Sequence, residues 1–382
     1  MTLHDLSEFF HLSAMVNYQL AGRGVGVPNI VALLDPRGDL AEGEREVLTG
    51  VLEYLREAYG ESRRRLGPLA ILHPIRCAAL LTQASGRPSL LDLLTALLHD
   101  KLEDLASGAL RGEVPAPAEQ RLAALLRSLD SEREWYLMER VDWLTRRESG
   151  ETYYAYTGRL LSHASLTPEI IRVKLADRLD NTLDMRVALV DPLERVNFFE
   201  QAFQILAMPS SPGYRATGPH PVPSPLNGAM RLYQLFKNTV LLSLVREAFP
   251  DRDDRVVATL YDAIAQASMR EAQRIVLHLF GYHLTDVSEQ RAVLADALAY
   301  CAGGGAARIG DPAGPALLDG FFIERFDHAD GAVRKAAIAS LYEDKGLMAR
   351  AATTLVSTFQ SFLVDPTFRV EGLSIHGCAP VR

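Results

Sequence analysis

The sequence predicts an all-α protein, a helical bundle followed by a second helical region, and two observations support that prediction. Apolar residues recur three and four positions apart, as at Val51, Leu52, Leu55 and Ala58, which is the spacing of one face of a helix. Alternating apolar and polar runs are scarce, and leucine and alanine, which favour helices, dominate over valine and isoleucine.

Proline and glycine divide the chain. The stretch 208–228 holds six prolines and three glycines, a composition that no helix tolerates. We therefore expect one domain at 1–207, a linker or crossing loop at 208–228 and a second helical region of unknown role at 229–382. That region is expected to contain two or three helices before residue 300, a surface loop at 301–316 and a helix within 330–344.

Composition narrows the class of partner and the compartment. The 382 residues are 48% hydrophobic and carry a formal net charge of −8 at pH 7, which argues against a nucleic-acid partner bound through overall charge. The early acidic residues Asp5 and Glu8 do not fit a secretory signal, and no run of about 18 apolar residues predicts a membrane span. Three cysteines without close metal spacing fit the reducing cytoplasm.

A strongly apolar helix is expected to begin near Ser89. Ser89 and Asp92, three residues apart, have the pattern of a capping box. Leucines then make a broad apolar surface on this helix: Leu94, Leu97, Leu98, Leu102 and Leu105.

Four ionisable residues lie beside those leucines. If the helix is regular, Glu103, Asp100 and Asp104 lie at about 40°, 100° and 140° around its axis from His99. Acids clustered in a low dielectric repel one another, and a divalent metal would hold them together. Imidazole and carboxylate suit Mn²⁺, Fe²⁺ or Zn²⁺. The alternative is a solvated acidic face with an incidental histidine.

Two other segments contain residues of the same kinds. His73 lies among apolar residues directly before a proline, although a buried, hydrogen-bonded core histidine would give the same pattern. Thr167 is expected to cap a helix with Pro168 at its first position. On that helix Asp177 and Asn181 share one face, although an ordinary ion-paired helix would look alike. Its expected core residues are Ile170, Ile171, Val173, Leu175, Leu179 and Leu183.

The order His, His-Asp, Asp resembles the HD-domain metal phosphohydrolases. HPIRCAALL, LLHDKLEDL and VKLADRLDN are similar to the hydrolase domain of the RelA/SpoT family, including its small single-domain members. The resemblance covers about Ser62 to Met185. Enzymes of that family remove the 3′-pyrophosphate from the alarmone (p)ppGpp, usually with Mn²⁺. The resemblance therefore implies an HD-type bundle and a metal-dependent phosphohydrolase of the stringent response.

The resemblance also implies a role for each matching residue. The metal ligands would be His73, His99, Asp100 and Asp177. Glu103 and Asp104 match the pair that works with the metal-bound water. The residues on the nucleotide or phosphate side would be Arg64, Arg65, Asn181 and Lys174.

Two positions differ from the family pattern. Gly67-Pro68-Leu69-Ala70 replaces a Gly-Glu-Pro-Tyr-like run, and Asp184 stands where members with a synthetase often carry threonine. Both concern substrate recognition, so an HD phosphohydrolase acting on a different nucleotide is an alternative.

A nucleotide-sensing regulatory protein with an HD site is an alternative from a different class. In every case the expected partner is a small-molecule nucleotide, not a nucleic acid or a membrane. The C-terminal region could bind a protein partner or another copy of the chain. Nothing after residue 200 resembles a synthetase, so alarmone synthesis is not expected.

Overall fold

The predicted all-α class is confirmed. A computed structural model describes residues 2–21, 26–106, 114–146, 150–164, 166–186, 191, 193–218, 224–249 and 254–375. Every regular element in those ranges is a helix, apart from an isolated β-bridge between Arg63 and Leu69. None of the helices in the described ranges combines the length and the apolar character that a membrane crossing requires.

The described helices are seventeen α-helices and one π-helix, and their bounds fix the labels used below. In chain order they are α1 Leu6–Ala21, α2 Gly26–Leu34, α3 Glu42–Tyr59, α4 Leu72–Ser85, α5 Leu90–Leu98, the π-helix Lys101–Ala106, α6 Ala116–Arg127, α7 Ser131–Leu144, α8 Tyr153–Ala164, α9 Glu169–Leu183, α10 Phe198–Ala207, α11 Gly228–Ala248, α12 Arg255–Tyr282, α13 Val287–Ala302, α14 Gly305–Arg308, α15 Phe321–Phe326, α16 Gly331–Glu343 and α17 Lys345–Val364.

These helices form two compact units. The first unit comprises Met1–Arg147, His163–Arg186 and Arg252–Ala263, and the second comprises Glu148–Ser162, Val187–Asp251 and Ile264–Arg382. The domain boundaries expected at residues 207 and 229 stay a prediction, and each unit draws segments from both sides of them.

Three helices of the first unit position the candidate site. Helix α4 packs against both α5 and α9, and α5 also packs against α9. The predicted core residues of α9 are all buried, and so are its polar residues Lys174, Asp177, Arg178 and Asp180. A helix buried on almost every side must pair its charges internally, because an unpaired buried charge is costly.

The start of α9 differs from its prediction by one position. The helix begins at Glu169 with Pro168 before it, and the Thr167 hydroxyl makes no capping bond. Instead, Ile170 and Ile171 donate their amides to the carbonyls of Thr167 and Pro168, at 3.2 and 3.1 Å. These three-residue turns satisfy the first amides without a side-chain cap.

The helices expected after the Pro/Gly-rich stretch are present, and they belong to the second unit except for the first part of α12. Helices α11, α12 and α13 cover the region before residue 300, and Asp330 caps α16 by accepting from the amide of Ala332. The expected loop at 301–316 contains the short helix α14. Described residues 208–218 form no helix, as their composition predicts. Phe236, Phe322 and Phe326 pack together in the interior of this unit, and the rings of Phe236 and Phe322 are stacked.

Candidate metal centre

Capping brings His99 and Asp100 to a defined position at the end of α5. The Ser89 hydroxyl accepts from the amide of Asp92 at 3.1 Å, as the capping pattern predicts, and this bond satisfies one of the free amides of the first turn. Leu93, Leu94, Leu97 and Leu98 are at most 1% exposed. The α-helix ends at Leu98, so the His-Asp pair follows directly on a firmly packed element.

The four predicted metal ligands come together in the first unit. The Nε2 atoms of His73, at the start of α4, and His99 are 3.2 Å apart. Asp100 Oδ2 lies 3.2 Å from His73 Nε2, and Asp100 Oδ1 lies 3.2 Å from His99 Nε2. Asp177 Oδ1 lies 3.4 Å from His73 Nε2 and 3.8 Å from His99 Nε2. Two imidazoles and two carboxylates from three segments thus face one small volume.

Hydrogen bonds orient both imidazoles with Nε2 toward that volume. His99 Nδ1 lies 2.8 Å from the carbonyl oxygen of Ala96, which only accepts, so Nδ1 is the donor. His73 Nδ1 lies 2.6 Å from Asp180 Oδ2. In their neutral forms both rings therefore point a lone pair of Nε2 at the same place. That arrangement fits a cation between them, since metal-binding histidines usually donate their other ring nitrogen in this way.

The charges of the cluster are strongly coupled. Burial opposes protonation of His99, yet Asp100 beside it raises the pKa of His99 well above its usual value. Burial likewise opposes ionisation of Asp177, but the Lys174 ammonium and the two imidazoles hold the pKa of Asp177 well below its usual value. The carboxylates therefore need positive charge beside them, and a divalent cation could supply it.

Asp180 is a residue of the site that the sequence analysis missed. It is fully buried and accepts a hydrogen bond from His73. It also accepts two from Arg76, Nε to Oδ1 at 2.7 Å and Nη2 to Oδ2 at 3.0 Å. Burial raises the pKa of Asp180, but Arg76 and His73 outweigh it and lower the pKa to about 2. The available signal was an acidic residue three positions after Asp177 on a helix otherwise rich in leucine and isoleucine.

The geometry of Glu103 and Asp104 differs from the prediction. A regular α-helix through residue 104 was expected, but Lys101–Ala106 is a π-helix, so the predicted angles around the axis do not hold. Such wide turns are frequently found at functional sites. Glu103 Oε1 accepts from the amide of Arg146 at 2.5 Å, and Asp104 Oδ2 accepts from the hydroxyl of Tyr59 at 3.2 Å.

Burial sets the acidity of this pair. It raises the pKa of Glu103, and the Asp100 charge adds to that rise although the Arg146 amide lowers it. Burial also raises the pKa of Asp104, with Asp100 contributing in the same direction. Both groups thus lie beside the cluster with an increased affinity for protons.

The predicted nucleotide-side residues fall into two groups. Lys174 Nζ lies 2.8 Å from Asp177 Oδ2, and Asn181 donates to the backbone oxygen of Asp177 at 3.0 Å. Arg64 donates to Asn181 Oδ1 at 2.7 Å, so a polar chain leads from Arg64 to Asp177. Arg65 is exposed and makes no ion pair within the described ranges.

The fold and the cluster together define a helical protein with a candidate centre for a divalent metal. No family model matches the sequence. Over 136 residues the chain is 27% identical to the guanosine-3′,5′-bis(diphosphate) 3′-pyrophosphohydrolase of Aquifex aeolicus (strain VF5). The match covers 36% of this chain and 17% of the length of that protein. The chain is thus similar to a small part of a larger hydrolase.

Proposed function

We propose that the first unit is a metal-dependent nucleotide pyrophosphohydrolase, with (p)ppGpp as its leading substrate and pyrophosphate from the 3′ position as its product. One observation carries this proposal: His73, His99, Asp100 and Asp177, predicted from sequence as a ligand set, lie together. The two Nε2 atoms are 3.2 Å apart, and each lies 3.2–3.8 Å from an oxygen of Asp100 and from an oxygen of Asp177. The similarity to a pyrophosphohydrolase over 136 residues supports the choice of reaction.

A divalent ion held by these four residues would polarise a phosphoryl oxygen and supply hydroxide near neutral pH. The family resemblance favours Mn²⁺. The two buried imidazoles would fix the position of the ion from the interior, while Asp100, whose side chain is 25% exposed, would bind it from the open side.

Glu103 and Asp104, the acidic pair of the π-helix, would act on the attacking water and its proton. Glu103 is held by the Arg146 amide and is proposed to accept a proton during attack, an effect worth about 10²- to 10⁴-fold in rate. Asp104, fixed by the Tyr59 hydroxyl, is proposed to orient the water. The π-helix that carries both carboxylates begins directly after Asp100, and most leucines of α5 before it are buried.

Cationic and amide groups near the cluster would bind the substrate. Arg65 offers an exposed guanidinium for a phosphate group. Arg64 and Asn181, already bonded to each other, are proposed to contact the nucleotide, and Lys174 to lie on the phosphate side of Asp177.

One contact favours an alternative nucleotide. Asp184 Oδ2 lies 3.1 Å from Arg64 Nη1, and Asp184 Oδ1 lies 3.0 Å from Arg76 Nη2. An acid in this place partly neutralises the guanidinium that would otherwise meet the substrate. A phosphohydrolase acting on a different nucleotide is therefore the second candidate.

A product assay separates the two candidates. The purified chain with Mn²⁺ is given ppGpp, pppGpp and a panel of ordinary nucleotides, with His99→Ala as the control. Pyrophosphate released from ppGpp by the unaltered chain alone would support the first candidate. Turnover of another nucleotide with ppGpp untouched would favour the second, and no turnover of any nucleotide would contradict both.

A further inference from the structure

Cys77 lies against the proposed metal centre without a role in the reaction described above. It follows His73 by four residues on α4 and is fully buried. Its sulfur lies 3.6 Å from His73 Nδ1 and 4.0 Å from His73 Nε2. Donor atoms of His73, Cys77, His99 and Asp177 all lie within 4.8 Å of one another. The thiol is therefore part of the same cluster of donors.

We propose that Cys77 is an additional ligand of this centre and that its sulfur makes the centre favour thiophilic divalent ions, such as Zn²⁺ and Co²⁺, over Mn²⁺ more strongly than oxygen and nitrogen ligands alone would. This inference rests on the proposed metal-dependent function. It concerns which ion the site takes, not whether it takes one.

The spacing of the donors agrees with this assignment. In a tetrahedral zinc site, Zn–S bonds of about 2.3 Å and Zn–N bonds of about 2.0–2.1 Å place neighbouring donor atoms roughly 3.3–3.7 Å apart. Sγ of Cys77 is 4.0 Å from His73 Nε2, which in turn is 3.2 Å from His99 Nε2 and 3.4 Å from Asp177 Oδ1. The sulfur also lies within 4.8 Å of the His99 and Asp177 donor atoms, so a side-chain shift on the order of 1 Å would bring this set around one ion.

Cys77 lies on the buried side of the cluster, and Asp100 lies on its partly exposed side. Cys77 is 0% exposed, whereas the Asp100 side chain is 25% exposed. Sulfur would thus bind the ion from the interior, leaving the side near Asp100 for water and the nucleotide. On coordination the S–H bond breaks, its proton passes to solvent, and the sulfur electron pair forms the metal–sulfur bond.

The softness of sulfur provides the selectivity. Thiolate ligands favour zinc and other thiophilic ions, whereas carboxylate and water ligands suit Mn²⁺. A site of two imidazoles and two carboxylates alone would discriminate less between these ions. If Cys77 were only a small buried side chain, a serine in its place would leave the relative affinities for Zn²⁺ and Mn²⁺ unchanged.

Cobalt spectroscopy tests the assignment without measuring activity. The metal-free full-length chain is titrated with Co²⁺ while the near-ultraviolet and visible spectra are recorded. We expect a thiolate-to-Co²⁺ charge-transfer band together with the d–d bands of the bound ion. Cys77→Ser should lose the first band and keep the second.

The other two cysteines supply a matched control. Cys301 lies on α13 in the second unit, and Cys378 lies outside the described residues. The variant Cys301→Ser/Cys378→Ser, in which Cys77 is the only thiol, should keep the charge-transfer band. Because this variant leaves the metal centre unaltered, the test does not depend on Cys77→Ser folding.

The outcomes separate this inference from the proposed function. Bound Co²⁺ with no charge-transfer band in the single-thiol variant would overturn the role of Cys77 and leave the metal site standing. No Co²⁺ binding at all would overturn the metal-dependent function, and the role of Cys77 with it. Competition titrations give the selectivity: Cys77→Ser should lower Zn²⁺ affinity by at least about tenfold while leaving Mn²⁺ affinity nearly unchanged. Equal losses for both ions would contradict the proposed selectivity.

Discussion

At the residue scale, the orientation of His73 depends on one buried carboxylate. Asp180 accepts from His73 Nδ1 at 2.6 Å while Arg76 neutralises it. Replacing Asp180 by Asn keeps the shape but removes the charge that holds the ring. We expect Asp180→Asn to lower metal affinity by about 10- to 100-fold, measured by calorimetric titration of the metal-free protein.

Asp184 offers a matched control for this variant. It also pairs with Arg76, at 3.0 Å, but the structure records no bond from it to His73. Asp184→Asn should therefore leave metal affinity nearly unchanged. If both variants bound the metal equally well, Asp180 would have no positioning role.

Glu103 is expected to act in the reaction and not in metal binding. Its carboxylate is held by the Arg146 amide, and Gln in its place can still accept that bond but cannot take a proton. Glu103→Gln should lower kcat by about 10²- to 10⁴-fold with metal content unchanged, as measured by steady-state kinetics and metal analysis. The exposed residue Glu132 on α7 provides the control, and Glu132→Gln should keep full activity. A fully active Glu103→Gln enzyme would remove Glu103 from the mechanism.

The sequence could single out His73, His99, Asp100 and Asp177 as candidate ligands because their types and order form a pattern. Asp180 could not be assigned in the same way, since its contact with His73 arises only when α4 packs against α9. Cys77 lies one turn after His73, a spacing that a small buried side chain fits equally well, and its other neighbours in the cluster, His99 and Asp177, lie 22 and 100 positions away along the chain.

At the scale of elements, the cap of α5 fixes the segment that carries His99 and Asp100. The Ser89 hydroxyl accepts from the amide of Asp92, so Ser89→Ala leaves that amide without its partner. We expect a loss of about 1 kcal/mol in the free energy of unfolding, measured by urea denaturation. Ser89→Asp, which preserves the cap, should restore most of it. An unchanged midpoint for Ser89→Ala would show that the cap contributes nothing.

Caps and turns also show which features of the helices could be predicted from the sequence and which could not. Ser89 was recognisable because a capping residue acts through its neighbours in sequence. The π-helix at Lys101–Ala106 was not, because KLEDLA fits a regular α-helix equally well and nothing local favours the wider turn. The start of α9 was displaced by one residue because carbonyls, not the Thr167 side chain, satisfy the first amides.

At the scale of the whole molecule, the first unit draws on residues far beyond the N-terminal half. Arg252–Ala263 belongs to it, and Asp254 in that segment accepts from Arg172 on α9 at 2.6 Å. Val257, Leu260 and Tyr261 are at most 5% exposed. The change in composition near residue 208 could predict an interruption of the helices. It could not predict that a later segment returns to the first unit.

This arrangement predicts how a truncated chain behaves. A fragment of residues 1–207 lacks three buried apolar side chains of its own unit, each worth about 1.5–3 kcal/mol. In urea denaturation followed by circular dichroism, the fragment should unfold at a lower urea concentration than the first unit does in the full chain. In the full chain, Leu260→Ala should cost about 2–5 kcal/mol. A fragment as stable as the full chain would show that residues 1–207 form an independent domain.

The most direct test of the account is the metal dependence of pyrophosphate release. The full chain is treated thoroughly with EDTA, freed of chelator and assayed on ppGpp before and after addition of Mn²⁺, Zn²⁺ or Co²⁺, with Asp100→Ala in parallel. We expect no release after chelation, recovery on adding a divalent ion, and no recovery in Asp100→Ala. Release that persists after chelation, or full activity in Asp100→Ala, would contradict a metal centre at His73, His99, Asp100 and Asp177.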